Sequence, residues 1–238
     1  MTPFLRLRRA LTRNGCRGTC FKLYVEFIDR WFDFRYGLDT CGSERLEDLT
    51  VDSANQSRGT QYEPARSLLL RRFFGEVRRL VPSESVLVDL GCGKGRVLLI
   101  AAQSGFVEVK GVEFAHELCE IARRNCSTFK QTTGIPADFK IIESDVLDYR
   151  IEARDNVFFM FNPFDDLVLA KVLANIESSI KEFPRSVYLC YYNPAFPGSA
   201  EDHTAFSKII DVTHWGYRFK VYSNRGQASH PGSPDFAE

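Results

Sequence analysis

Ser85-Val86-Leu87-Val88-Asp89-Leu90-Gly91-Cys92-Gly93-Lys94-Gly95-Arg96-Val97-Leu98-Leu99-Ile100-Ala101-Ala102 reads as a strand, a tight turn and a helix in immediate succession. The apolar, β-branched run Val86 to Leu90 stops at three glycines spaced by two, and a helix-forming apolar run begins directly after them. Without Cβ atoms, Gly91, Gly93 and Gly95 can take positive φ angles. They also let a ligand lie against the backbone and the N–H groups that open the helix.

Three kinds of nucleotide loop use glycines in this way. A dinucleotide fingerprint requires glycine at the last position of G-x-G-x-x-G, where this chain has Arg96. A P-loop requires Gly-Lys-Ser/Thr after a longer loop, whereas Lys94 precedes Gly95 and Val88 stands in place of the first glycine. What remains is an acid, Asp89, at the end of a strand, followed by G-x-G-x-G with no phosphate-binding residue. That pattern suits a cationic cofactor without phosphates.

Working outward, strand and helix patterns alternate: Val107 to Glu113, a helix around Leu118 to Cys126, Lys140 to Glu143, Val157 to Phe161, a helix around Leu167 to Ile180, and Val187 to Tyr192. Such alternation predicts a parallel sheet covered on both faces. Lys208 to Val212 and Tyr217 to Val221, joined through His214-Trp215-Gly216, predict a closing antiparallel hairpin.

Val88-Asp89-Leu90-Gly91-Cys92-Gly93-Lys94-Gly95 resembles the first motif of the class I S-adenosylmethionine-dependent methyltransferases. Further elements follow in the expected order. Val109 to Phe114 resembles the second strand, with Glu113 placed to accept the ribose hydroxyls. Ile141 to Val146 resembles the third-strand element, whose Asp145 would meet the adenine. Phe158 to Phe164 resembles the fourth-strand end, where the methyl acceptor sits. Tyr62-Glu63-Pro64 is similar to the Tyr-x-Pro-Ser/Thr element of certain protein-lysine methyltransferases, with Ala65 in place of the hydroxyl residue. Together with Phe32-Asp33, Tyr36 to Thr40 and Tyr191-Tyr192-Asn193-Pro194, these stretches resemble a bacterial group distantly similar to the non-SET histone-lysine methyltransferases.

The resemblance implies an α/β fold: a seven-stranded, mostly parallel Rossmann-like sheet with helices on both faces, a C-terminal antiparallel hairpin and a helical N-terminal extension. It implies S-adenosylmethionine as cofactor, held by Tyr62, Asp89, Leu90, Gly91, Cys92, Gly93, Gly95, Arg96, Glu113, Phe114, Asp145, Val146 and Asn162. The catalytic positions are Asn162, Pro163 and Phe164, and no metal is expected. Asn162-Pro163-Phe164 is similar to the Asn-Pro-Pro-Tyr/Phe signature of amino-group methyltransferases, with one proline fewer. N-methylation of an amino group, with protein lysine favoured, is therefore the expected reaction; nucleic acid and small-molecule acceptors stay open. A non-catalytic cofactor-binding scaffold and a nicotinamide oxidoreductase are the alternatives, and Arg96 argues against the second.

The 238 residues divide into a basic segment, helix and lid-like linker (1–61), the methyltransferase domain (62–223) and a tail expected to be disordered (224–238). The 31 Lys and Arg balance 31 Asp and Glu, so the chain as a whole has no charge to drive adhesion to nucleic acid or membrane. Its start is different. Arg6, Arg8, Arg9, Arg13, Arg17 and Lys22 precede the first acid, Glu26, and Phe4, Leu7 and Leu11 recur among them at helical spacing. This pattern suits a solvated tail, an organelle transit peptide, or a contact with an anionic surface through Arg6, Arg8, Arg9 and Arg13. Leu23, Phe27, Trp31 and Phe34 then share a helical face, which is expected to pack on the main domain. The polar stretch Ser43 to Gln61 is expected to act as a lid, and a helix is expected from Pro64 to Leu80. Seven scattered cysteines without paired spacing point to reduced thiols and a cytoplasmic setting, and no apolar run approaches a membrane-spanning length. Cys16 and Cys20 could share a helical face, but no second ligand pair accompanies them.

Overall fold

The computed structural model describes residues 3–53, 55–195 and 205–225. The elements run α1 (Pro3–Tyr36), α2 (Ser67–Leu80), β1 (Val86–Leu90), α3 (Arg96–Gln103), β2 (Glu108–Glu113), α4 (His116–Thr133), β3 (Asp138–Glu143), β4 (Asp155–Met160), α5 (Asp166–Glu182), β5 (Tyr188–Tyr192), β6 (Ser207–His214) and β7 (Tyr217–Ser223). The seven strands form one sheet in the order β3-β2-β1-β4-β5-β7-β6. Strands β1 to β5 pair in parallel, and β7 lies antiparallel to both of its neighbours. This is the α/β sheet with closing hairpin that the strand pattern predicts.

The two-residue period of the strands sorts their side chains into two cores. Leu87, Val109, Val157, Phe159, Cys190 and Phe219 pack under α2, α3 and α4. Val88, Leu90, Val112, Phe158, Met160 and Leu189 pack under α5. Asp165 caps α5 by accepting the Val168 N–H at 3.0 Å. At the far edge, the hairpin turns through Trp215 and Gly216, both at positive φ (52° and 82°). Such a turn follows the sheet's twist but strains a tryptophan. The Trp215 ring stacks on Phe21 of α1 at 4.4 Å, which holds it there.

Helix α1 departs from expectation. It is interrupted at Gly15 (φ 67°, ψ 173°) and ends at Tyr36, with Gly37 at φ 68°. The face carrying Leu23, Phe27, Trp31 and Phe34 points to solvent, and the opposite face, with Val25, Asp29 and Phe32, is buried. The reason is electrostatic. Asp29 and Asp33 meet the buried Arg96 guanidinium at 3.2 and 3.9 Å, and a charge this deep needs those partners. Asp29 also accepts the Ser67 N–H at 2.9 Å, capping α2 from another element because Arg66 provides no side-chain cap. Helix α2 accordingly starts at Ser67 rather than Pro64. The side chains of Arg6, Arg8, Arg9 and Arg13, and residues 226–238 of the expected tail, lie outside the described residues.

Candidate active site

At the carboxyl ends of β1, β2 and β4 the chain encloses a cavity of about 340 Å3, within the range that small-molecule sites occupy. Its floor is the loop after β1. Gly91 and Cys92 donate their N–H groups to Val112 O at 2.8 and 3.1 Å, which sets the loop against the end of β2. Gly91 and Gly93 take φ values of 88° and 51°. A Cβ on Gly91 would strike Pro163, and one on Gly93 would strike the Tyr62 ring, so neither position has room for a side chain. Tyr62 is held over the loop by its hydroxyl, which donates to Thr40 O at 2.9 Å.

Two carboxyl groups lie beneath this floor. Glu113 accepts the N–H groups of Gly93 (2.9 Å), Phe114 (3.0 Å) and Ala115 (3.0 Å). Burial raises its pKa, and these three bonds oppose the rise. Asp89 is 2 % exposed, and its Oδ2 has no hydrogen-bond partner. Burial, followed by the nearby Glu113 charge, holds its pKa well above the usual carboxylate range. An unsatisfied buried acid facing a cavity is a site for a cation or a donor. The ammonium of S-adenosylmethionine fits that requirement, the bare glycine backbone fits close approach, and the cavity fits its size. Cys92 lines the same wall as a neutral thiol, its pKa pushed up by burial and by Glu113.

At the third strand, Asp145 accepts from Ser53 Oγ (2.5 Å), Asn55 Nδ2 (2.9 Å) and the Leu147 N–H (2.8 Å). Burial works against these bonds, but they hold its carboxyl below the usual range. At the fourth strand, Asn162 adopts φ 45°, and both ends of its amide are engaged. Nδ2 donates to Asn193 O at 2.7 Å, and Oδ1 accepts the Ala195 N–H at 2.8 Å. The side chain expected to orient an acceptor nitrogen therefore ties the β4 end to the β5 end. The carbonyls beside it point toward Thr60: Asn162 O accepts Thr60 Oγ1 at 2.8 Å, and Pro163 O accepts the Thr60 N–H at 3.1 Å.

Of the residues expected at the site, all but Leu90 and Gly95 line the cavity. Leu90 is buried in the α5-side core, and Gly95, at φ 86°, gives α3 room beside Ala122 of α4. Arg96 lines the wall, and its guanidinium reaches Asp29, Thr40 Oγ1 (2.8 Å) and Ala65 O (3.2 Å), which anchors α1 to the site. The stretch expected as a lid, Ser43 to Gln61, brings Leu46, Leu49, Asn55, Arg58 and Thr60 to the cavity, although none of these five was expected as a site residue. That segment is stitched down by single bridges, Glu44 to Tyr62, Val51 to Ala115 and Gly59 to Phe164. Lys94 Nζ holds its start through Glu44 (2.9 Å) and Asp39 (3.3 Å). Among the described residues, no cluster of His, Cys, Asp and Glu is arranged to hold a metal ion.

The parallel strands, the glycine floor and the two buried acids make a Rossmann-like α/β domain with a ligand cavity at the carboxyl ends of its strands. Residues 87–182 match the family model described as a methyltransferase domain, which takes in the sequence from β1 to the end of α5. Solved structures share the fold. An RNA methyltransferase from Salinibacter ruber, in complex with S-adenosyl-L-homocysteine, is 17% identical over 69% of this chain and 95% of its own, with a TM-score of 0.52. Magnesium protoporphyrin IX methyltransferase from Synechocystis, with bound S-adenosylmethionine, is 12% identical over 66% and 78%, with a TM-score of 0.51. The ribosomal protein L11 methylase of Lactobacillus delbrueckii is 13% identical over 68% and 79%, also at 0.51. No curated protein sequence matches the chain. The match to a methyltransferase domain covers residues 87–182, and the neighbours in fold are methyltransferases named for acceptors as different as a porphyrin, an RNA and a ribosomal protein.

Proposed function

We propose that the protein is an S-adenosylmethionine-dependent methyltransferase that transfers the methyl group to an amino nitrogen, with the side chain of a protein lysine as acceptor. The observation that carries this reading is the pair of carbonyls at the β4 end. Thr60 satisfies Asn162 O and Pro163 O with two donors, one N–H and one O–H. An amine brings two donors of the same kind, so an incoming acceptor that displaces Thr60 finds both carbonyls placed for it. Hydroxyl and carboxylate acceptors have one donor or none, and match the pair less well.

The cofactor supplies a methyl group on a cationic sulfonium, and the protein has to align a nucleophile with it and keep water out. Asp89 would take the ammonium of the cofactor, Glu113 the ribose hydroxyls and Asp145 the adenine edge, with Gly91 and Gly93 under the methionine portion. A lysine must lose its proton before it can attack. Phe161, Phe164 and Tyr62 line the cavity near the β4 end, and an apolar lining lowers an amine's pKa by disfavouring the charged form. Asn162 serves as a positioning residue that keeps the β4 and β5 ends together, and Phe164 packs beside the acceptor. The similarity of Tyr62-Glu63-Pro64 and Asn162-Pro163-Phe164 to protein-lysine and amino-group methyltransferases supports the same acceptor. In this reading residues 62–223 are the catalytic domain, and residues 1–61 supply its helical brace and lid. The free, buried Cys92, Cys119, Cys126 and Cys190 support a cytoplasmic setting.

The test incubates the protein with cell extract and S-adenosylmethionine labelled in the methyl group, then separates protein, RNA and small molecules. Label in the protein fraction, recovered as methyl-lysine after hydrolysis, is the expected result. Label confined to RNA or to small molecules would overturn the acceptor class while leaving the cofactor assignment intact.

A further inference from the structure

Five of the large apolar side chains that the described residues expose belong to α1: Leu23, Tyr24, Phe27, Trp31 and Phe34, each between 51 and 78 % exposed. Their spacing of three and four places them on one side of the helix, opposite the buried Val25, Asp29 and Phe32. Trp31 and Phe34 touch each other at 5.7 Å and no other ring. A contiguous apolar stripe of this kind on a soluble domain marks a contact surface.

We propose that this face of α1 docks the protein on an anionic membrane surface, lying in the headgroup region without crossing it. Charge decides the occupant. Residues 1–36 hold eight Lys and Arg against three Asp and Glu, in a chain whose total is balanced. Two of those three acids, Asp29 and Asp33, face inward and are spent on Arg96. The third, Glu26, pairs with Arg30 at 3.0 Å, so the excess of positive charge in residues 1–36 is carried by the sequence around the apolar stripe, and basic residues beside an apolar face are the combination that an interfacial amphipathic helix uses on anionic lipid. The helical backbone of α1 includes the arginine-rich stretch from Pro3, with the break at Gly15 before the stripe. Tryptophan and tyrosine beside basic residues suit the level where headgroups meet acyl chains. A second copy of the chain is disfavoured as occupant, because pairing two such faces would bring the basic segments together. Nucleic acid is disfavoured because the stripe is convex and includes the aliphatic Leu23, whereas single-strand sites present aromatic rings along a groove. Among the described residues no helix is long and apolar enough to cross a membrane, so the contact is peripheral.

The test uses the full chain and sucrose-loaded vesicles of phosphatidylcholine carrying phosphatidylglycerol, against phosphatidylcholine alone. The expected result is co-sedimentation with the anionic vesicles, weakened by added salt and reduced at least about tenfold in a Phe27→Ser, Trp31→Ser variant that keeps its melting temperature. Brominated acyl chains provide a reading that does not depend on that variant: they should quench Trp31 emission in Trp215→Phe, and quench nothing in Trp31→Phe. Failure to sediment, unchanged binding in the double variant, or absence of quenching would each overturn the proposal. So would light scattering showing a dimer that the double variant dissolves, or a single-stranded RNA that binds the stripe when vesicles do not.

Discussion

Replacing Asp29 by alanine should destabilise the protein far beyond the loss of one surface carboxylate. Asp29 is 2 % exposed and serves three groups at once: the Arg96 guanidinium at 3.2 Å, the Arg66 guanidinium at 3.2 Å and the Ser67 N–H that opens α2 at 2.9 Å. Breaking a buried ion pair by removing one partner costs about 3–5 kcal/mol, because the other charge stays buried without it. Arg96 keeps Thr40, Ala65 O and the more distant Asp33, which places the expected loss near the low end, about 3 kcal/mol. For a domain of this size that corresponds to a fall in melting temperature of roughly 6–12 °C. Asp29→Asn keeps an oxygen for Ser67 while losing the charge, and should fall about halfway between. Phe27→Ala, two residues earlier on the exposed face, should change stability by no more than about 0.5 kcal/mol. Urea unfolding followed by circular dichroism, with the slope checked for constancy, measures all three. Equal stability of Asp29→Ala and Phe27→Ala would refute the claim that the inner face of α1 is held by charge.

Three further outcomes follow from the cavity. Gly93→Ala should abolish cofactor binding by calorimetry, since its Cβ would strike the Tyr62 ring; adding Tyr62→Ala removes that clash but leaves the φ of 51°, so binding should return only in part. Asp89→Asn should lose the cofactor and yet melt higher than wild type at neutral pH. The pKa of Asp89 is raised in the folded protein, so its contribution to stability is complete below about pH 4 and is lost as pH rises through the folded value; the gap between the two proteins should therefore close in acid, and an unchanged gap in a pH series of melts would contradict it. Asn162→Ala should lower kcat by orders of magnitude with little change in cofactor affinity, because it releases Asn193 and Ala195 from the β4 end; a variant with normal single-turnover rates would remove Asn162 from the acceptor side.

The sheet was legible because its signals are local. Val86 to Leu90 cannot continue as a strand into three glycines, and the alternation of apolar runs after it leaves few other arrangements. The acids were legible for the same reason, since Asp89 and Glu113 fall in the last two residues of their strands and Asp145 just beyond its own. The face of α1 was not. Both of its sides are apolar, and what chooses between them is Asp29 and Asp33 meeting an arginine more than sixty residues away in sequence. Arg96 itself was read from its position beside the glycines, which says nothing of where a long side chain turns. The lid contacts were hidden likewise: Ser53 and Asn55 reach Asp145 across some ninety residues, and no periodicity marks a polar loop. Asn162 was located correctly at the strand end, but the commitment of its amide depends on the neighbouring strand's turn, where Asn193 takes a matching φ of 47°.

Thr60 has one more consequence. Its two hydrogen bonds to Asn162 O and Pro163 O are made by a residue tethered to the same chain, so the carbonyls face a built-in competitor at an effective concentration that in flexible tethers reaches about millimolar. Any molecule that seeks those carbonyls has to outbid an internal ligand that never diffuses away. On the proposed acceptor reading, donors too weak to displace Thr60 would be turned aside without any pocket shaped against them, and the length of the segment between Glu44 and Tyr62 would become a dial on selectivity.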